Sequence, residues 1–201
     1  DLRRSWDSLL AAARANGDLA GPAATAAQAC RALGAEHQPP VAGLAREVHY
    51  YRANPFGWAM WGYFLGAAAL LATLPLTGRA VGLLAGTPVL LGFAMHVYGF
   101  GLRIAISGRP PITNMYESVI WASVAVMGFA LLLAAFHRIP VYTLVGALVA
   151  WVGLAFAGQS SLDMGISTLV PVLRNNFWLT IHVPTIVSSY GAFALAMGLG
   201  H

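Results

Sequence analysis

The chain has 201 residues, of which 58% are hydrophobic and 9% are charged, and its formal net charge is +4. Because soluble domains carry about 25% charged residues, we do not expect an ordinary water-soluble enzyme. Cys30 is the one cysteine, which excludes an intramolecular disulfide, a CxxC redox pair and a CxxCH sequence. All eleven basic residues are arginines spread along the chain, without the clusters that nucleic-acid binding needs.

Residues 1–53 are predicted to form a polar helical N-terminal segment, a lead-in or linker made of short amphipathic helices in water. The predicted helices run from Ser5 to Gly17, from Pro22 to Gly34 and from Pro39-Pro40 to Arg52. Because the chain opens on Asp1 and stops at His201 directly after an apolar stretch, we expect both of its ends to be cut from a longer protein.

Residues 54–201 are predicted to be an all-α domain, a polytopic transmembrane helical bundle. The charges after Arg52 divide this part into apolar stretches that each approach the ~20 residues a membrane-spanning helix needs. Apolar residues occupy all sides of each predicted helix and leave no polar stripe, which is typical of helices in lipid. The predicted helices are 56–76, 80–104, 118–136, 140–158 and 179–200.

Topology is a point on which two arguments disagree. The predicted spans place Arg46, Arg52, Arg103, Arg109 and Arg174 on one side of the membrane, and Arg79 and Arg138 on the other. The positive-inside rule puts the side with more arginines in the cytoplasm. That same side carries the longer loops, which are the loops we expect to have a function.

The loop between the second and third spans, residues 107–118, is the first candidate for a functional region. Asn114 and Ser118 can cap the helix that follows, so one interpretation is a rigid connection with a helix start. Tyr116 and Glu117 lie at the mouth of an apolar span. They favour a role beyond a rigid connection, because an ionisable residue at such depth is usually paired or functional.

The second candidate region leads into the last span. Trp178 suits the interfacial aromatic belt, and His182 follows one turn inside the helix. Imidazole is a common axial ligand of haem iron, while the alternative is a histidine hydrogen-bonded to a neighbouring helix. Pro184 interferes with helix hydrogen bonding just after His182.

His96 is the other histidine deep in a span. It is either a buried structural histidine satisfied by a neighbouring helix, or a haem ligand or proton-handling group. His137 stands at a turn and is predicted to be interfacial. Because no GxSxG, HExxH or P-loop sequence occurs, we assign no catalytic residue.

Two motifs resemble the CcsA family, also called ResC, the membrane component of System II cytochrome c biogenesis. They are Gly-Arg-Pro-Pro-Ile-Thr-Asn-Met-Tyr-Glu-Ser at 108–118 and Leu-Val-Pro-Val-Leu at 169–173 followed by Asn-Phe-Trp-Leu and Ile-His-Val within 176–183. The resemblance covers about residues 43–201. It implies a protein of the bacterial cytoplasmic membrane that carries haem b to the outer face and presents it to the CxxCH cysteines of apocytochrome c, as part of a holocytochrome c synthetase.

The resemblance also implies partners and a haem site. The partners are a ResB/CcsB-like membrane protein, which can be fused to the chain, apocytochrome c and a thiol-reducing thioredoxin-like protein. By position, His182 matches an external axial haem ligand, and the family's tryptophan-rich WWD segment is expected beyond His201. An external His182 places the N-terminal segment outside as well, where Arg109, Arg174 and Arg103 could pair with haem propionates.

Two alternatives stay open. The System I haem-handling family, whose CcmC member also has a His-Val-Pro sequence near a helix start, is a related interpretation. A non-haem permease or a scaffold for partner subunits is the other, and in that case His96, Glu117 and Arg109 would line a substrate path or an interface.

Overall fold

The computed structural model describes residues 2–14, 19–36, 41–73, 79–108, 112–160, 162, 164–165 and 176–201. These parts of the chain hold eight α-helices: α1 Leu2–Arg14, α2 Ala20–Glu36, α3 Val41–Ala53, α4 Pro55–Thr73, α5 Arg79–Ser107, α6 Met115–His137, α7 Pro140–Gln159 and α8 Asn176–Gly200. No strand occurs within the same ranges, and the predicted all-α class is confirmed.

The chain divides into two compact units, Asp1–Ala45 and Arg46–His201. In the first unit α1 packs against α2. Three predicted helix ends are wrong here: α1 begins before Ser5, α2 begins before Pro22, and α2 continues through Gly34. Proline is tolerated within the first turn because its missing N–H would have no helical acceptor there. The predicted ends at Gly17 and Pro39-Pro40 lie outside the described residues.

Five helical stretches of the described chain are long and apolar enough to cross a membrane, as predicted. They are Leu44–Thr73, Leu84–Ser107, Met115–His137, Pro140–Gln159 and Thr180–Gly200. Helix α5 continues three residues beyond its predicted end, and with 29 residues it is about 43 Å long at 1.5 Å per residue. The third span begins three residues before its predicted start, because Asn114 caps α6.

The helices of the second unit pack in the spatial order α5, α4, α7, α6, α8, and α8 contacts both α6 and α7. Glycines allow close helix contacts, as is common in membranes. A Cβ added to Gly62 of α4 would lie 2.7 Å from the Cα of Gly92 in α5. Alanines fill much of the remaining core, with Ala59, Ala130 and Ala147 fully buried.

Helices α4, α6 and α8 start at one end of the bundle, and α5 and α7 finish there. The contacts fix this arrangement: Phe56 of α4 lies against Phe100 near the end of α5, and Trp121 near the start of α6 lies against Ser188 of α8. We call this the polar end. Its helix termini are at Asn54, Ser107, Asn114, Gln159 and Asn176.

Candidate functional site

The start of α6 at the polar end is fixed by a side-chain cap. Asn114 has an extended backbone with φ −136° and ψ 171°, and its Oδ1 accepts a 2.7 Å hydrogen bond from the N–H of Glu117. The Ser118 hydroxyl donates to the Asn114 carbonyl at 3.0 Å. The capping role predicted for Asn114 is therefore confirmed, and it places Glu117 in the first turn of α6, where a carboxylate is stabilised by the helix dipole.

Glu117 forms a buried ion pair with Arg103 of α5. Its Oε1 accepts hydrogen bonds from Arg103 Nη2 at 2.8 Å and from Nε at 3.3 Å. Its Oε2 accepts from the N–H and the hydroxyl of Thr113, both at 2.7 Å. The two charged side chains are 1% and 2% exposed. Four hydrogen-bond donors thus satisfy the buried carboxylate of Glu117, which is the condition under which a buried charge is tolerated.

Arg103 extends this pair to further segments of the chain. Its Nη1 donates to the Tyr50 hydroxyl of α3 at 3.0 Å and to the carbonyl of Met164, after α7, at 3.1 Å. Its guanidinium carbon lies 5.4 Å from the ring centroid of Tyr116, within cation–π range. Arg103, Glu117, Tyr50, Tyr116 and Thr113 form what we call the arginine cluster.

The arginine cluster changes the interpretation of two predicted residues. Glu117 was expected to be paired or functional, and it is paired with Arg103, which was not predicted to be its partner. Arg103, which was expected to reach haem propionates, uses its guanidinium within the protein. A signal was present in the sequence, because Arg103 and Glu117 are opposite charges near the same end of two consecutive spans.

His96 lies in a second buried group, deeper in the bundle, and is 0% exposed. Its Nε2 is 3.1 Å from the carbonyl oxygen of Ile120, and its Nδ1 is 3.1 Å from the Tyr63 hydroxyl. A carbonyl only accepts, so Nε2 carries the proton and Nδ1 accepts from Tyr63. With Phe100 stacked on the ring, these contacts favour the structural alternative for His96.

His182 has a different setting, on the part of α8 nearest the polar end. Its side chain is exposed, and so is that of Ile181. Pro184 lies inside the same helix, as predicted. Trp178 lies in the first turn of α8, but its side chain is outside the described residues, as are Arg109 and Arg174 altogether. The structure therefore brings Asn114, Tyr116 and Glu117 together and leaves the proposed propionate partners undescribed.

A cleft of about 280 Å³ opens beside the arginine cluster between α4, α6 and α7. Tyr116, Gln159 and Met164 belong to its lining, together with the apolar side chains of Phe56 and Leu154. The site thus offers an apolar wall with a few polar groups at its rim. Glu117, the buried carboxylate of the adjoining arginine cluster, accepts hydrogen bonds from four donors, which favours a structural role for this residue over proton transfer.

No known protein-family profile matches the chain. Over 109 residues, 54% of the chain, it is 41% identical to protein NrfI of Wolinella succinogenes, of which it covers 12%. Over 95 residues it is 33% identical to the cytochrome c biogenesis protein CcsA of Prochlorococcus marinus, covering 30% of that protein. The CcsA of Trieres chinensis is 30% identical over 100 residues, with 31% covered. The chain thus spans less than a third of the length of these relatives.

Proposed function

We propose, from the partial homology of about half of this chain to the CcsA/ResC-like cytochrome c biogenesis family, that the bundle handles haem for attachment to cytochrome c. Haem b is the cargo in this proposal, and His182 supplies an axial ligand to its iron. The bundle lies in the bacterial cytoplasmic membrane, with the polar end and the N-terminal segment on the extracytoplasmic side.

The observation that carries the proposal is the contrast between two histidines of the spans. His182 presents an exposed imidazole on α8 at the polar end, where a large planar ligand can approach from water. His96 is enclosed in the bundle, with an exposed fraction of 0%. Because haem already provides four nitrogen donors in its plane, the protein needs to add only axial ligands, and an exposed imidazole such as that of His182 is suited to this role.

The proposed chemistry depends on which parts of haem stay accessible when the protein holds it. Ligation through an imidazole leaves the vinyl groups of haem accessible to cysteine thiols, so the protein supplies position and redox poise rather than acid–base catalysis. Arg109 and Arg174 are proposed to pair with the propionates through bidentate hydrogen bonds. Arg103 is excluded from this role because the arginine cluster engages its guanidinium.

The proposed orientation gains support from the arginine cluster. The positive-inside rule concerns arginines in short loops and near the ends of the spans, but Arg103 is buried within α5 and neutralised by Glu117. The excess of arginines at the polar end is therefore smaller than the sequence count. Proposed partners at this end are a ResB/CcsB-like membrane protein, apocytochrome c with its CxxCH sequence and a thioredoxin-like thiol reductant.

The alternatives have weaker support. Relatives named CcsA favour a System II protein over a CcmC-like one. A permease would need His96 and Glu117 along one polar path, yet each is buried in its own hydrogen-bonded group. The aromatic side chains of Phe56 and Phe100 pack directly against His96, so the surroundings of His96 are apolar rather than hydrated.

An absorption spectrum of the protein purified in detergent tests the proposal. We expect a low-spin haem spectrum in the wild type, loss of haem in His182→Ala, and its recovery when imidazole is added. His137→Ala is the matched control, because His137 is an exposed histidine at the opposite end of the bundle, and it should keep its haem. Haem retained equally by both variants would remove His182 from the site, and no haem in the wild type would contradict the proposed function.

A further inference from the structure

Helix α8 is attached to α6 through the indole of Trp121. The Trp121 Nε1 lies 3.0 Å from the Ser188 hydroxyl oxygen and 3.3 Å from the carbonyl oxygen of Pro184. An indole N–H donates and never accepts, so one proton is shared between two acceptors one helical turn apart. The Trp121 ring is itself held, since Phe100 of α5 packs edge-on against it at 5.2 Å.

The burial pattern of α8 changes at the same level. On the side of the helix toward its C-terminus, Val187 is 8% exposed and Leu195 is 3% exposed. Gly191 lies so close to α6 that a Cβ there would be 2.9 Å from the carbonyl oxygen of Ala122. In the preceding part of the helix none of residues 180–186 is buried, and Ile181 and His182 are exposed. The contact with Trp121 is therefore at the boundary between the packed part of α8 and the part that carries His182.

Pro184 makes this boundary mechanically distinct. Proline has no N–H to donate to the carbonyl four residues earlier, and its ring interferes with the preceding turn. The helix therefore lacks the hydrogen bond between residues 180 and 184, in the turn that contains His182, and helix kinks commonly occur at such positions. The carbonyl of Pro184, which accepts from Trp121, lies two residues from His182.

We propose that Trp121 is a positioning residue whose indole N–H fixes the proline turn of α8 and thereby the direction in which His182 meets haem. This inference rests on the proposed ligand role of His182, and it extends the site to a residue that contacts neither iron nor porphyrin. Ser188 takes part as the second acceptor of the same proton.

Three variants separate this role from ordinary packing. Trp121→Phe keeps an aromatic ring but removes the N–H, and Ser188→Ala removes one of its two acceptors. Trp151→Phe is the matched control, because Trp151 is a half-buried tryptophan of α7 whose ring packs on Phe64. Ser188→Ala is also the milder variant, and it keeps the test open if Trp121→Phe fails to fold.

The first measurement needs no haem. Hydrogen–deuterium exchange of the amides at residues 181–183 is compared among haem-free proteins in detergent. We expect exchange about fivefold faster in Trp121→Phe, the factor that corresponds to losing one hydrogen bond. Ser188→Ala should give a smaller increase because the Pro184 carbonyl still accepts, and Trp151→Phe should match the wild type.

The second measurement is a haem titration followed in the Soret region, with and without added imidazole. Trp121→Phe is expected to bind haem about fivefold more weakly and to regain a low-spin spectrum with imidazole, since a free ligand replaces a misdirected one. A purely structural defect would lower haem binding without imidazole rescue. Trp151→Phe should bind haem as the wild type does.

The outcomes distinguish this inference from the proposed function. If the wild type binds haem through His182 but Trp121→Phe matches Trp151→Phe in both measurements, the positioning role is overturned. A change in only one measurement overturns it as well. If the wild type binds no haem, the proposed function fails, and exchange at residues 181–183 alone decides whether Trp121 fixes this segment.

Discussion

Removal of the Glu117 carboxylate is expected to destabilise the bundle strongly. In Glu117→Ala, Arg103 keeps its charge at 1% exposure and loses its only carboxylate partner among the described residues. The hydrogen bonds from Thr113 N–H and its hydroxyl are lost at the same time. The remaining acceptors of Arg103, the Tyr50 hydroxyl and the Met164 carbonyl, are neutral and cannot balance a buried cation.

The magnitude follows from this geometry. Breaking a buried ion pair by removing one partner costs about 3–5 kcal/mol, because the other charge is left uncompensated. Glu117→Gln should be almost as harmful, since an amide presents N–H groups where two donors now meet an oxygen. The double variant Arg103→Met/Glu117→Leu should be less destabilised than either single variant, because no charge stays buried.

Reversible unfolding in mixed detergent, followed by circular dichroism, measures these free energies of unfolding. Arg52→Met is the control, because Arg52 is exposed and such substitutions usually change stability by no more than about 0.5 kcal/mol. A cost below about 1 kcal/mol for Glu117→Ala, the range of surface pairs, would refute the reasoning. So would a double variant less stable than both single ones.

Three further predictions are checked by the same unfolding measurement. Gly62→Ala should destabilise the bundle, because the added Cβ would lie 2.7 Å from the backbone of Gly92. Gly86→Ala is the control and should not destabilise it, because Gly86 has open space around it. Equal effects of the two substitutions would contradict the close α4–α5 contact. Asn114→Ala should cost about 1 kcal/mol by loss of the N-cap, with Asn114→Asp near wild type as the test of capping. Tyr63→Phe should cost about 1–3 kcal/mol by leaving His96 Nδ1 without its donor, and an unchanged stability would argue against that hydrogen bond.

The local features of this protein could be predicted from its sequence. Apolar stretches of membrane length and the charges between them predicted five spans, and the described chain has five candidate spans. The cap at Asn114 was also predictable, because its partner Glu117 is only three residues away. Helix ends were less predictable: α6 begins at Met115 rather than at residue 118, because the charge of Glu117, which separates two apolar stretches in the sequence, lies inside the first turn of the helix.

The arginine cluster was decided by tertiary structure, because its members come from helices that only the fold brings together. Arg103 and Tyr50 are 53 residues apart in the chain, and no local pattern relates them. The same holds for Trp121 and Ser188, 67 residues apart. The sequence alone indicated that Glu117 needs a partner and placed Arg103 near the same end of the neighbouring span, but Arg109 is also close to Glu117 in the sequence, so the sequence did not decide between the two.

Apart from the exact helix ends, the sequence by itself thus determined which parts of this protein are helical and which stretches prefer lipid, because hydropathy and helix capping depend on neighbours within a few residues. The tertiary structure alone decided which polar groups are satisfied inside the bundle. In a medium without water every buried donor and charge must find its partner in the protein, and the packing order of α5, α4, α7, α6 and α8 sets those partners. That packing encloses His96, pairs Arg103 with Glu117 and leaves His182 exposed at the polar end.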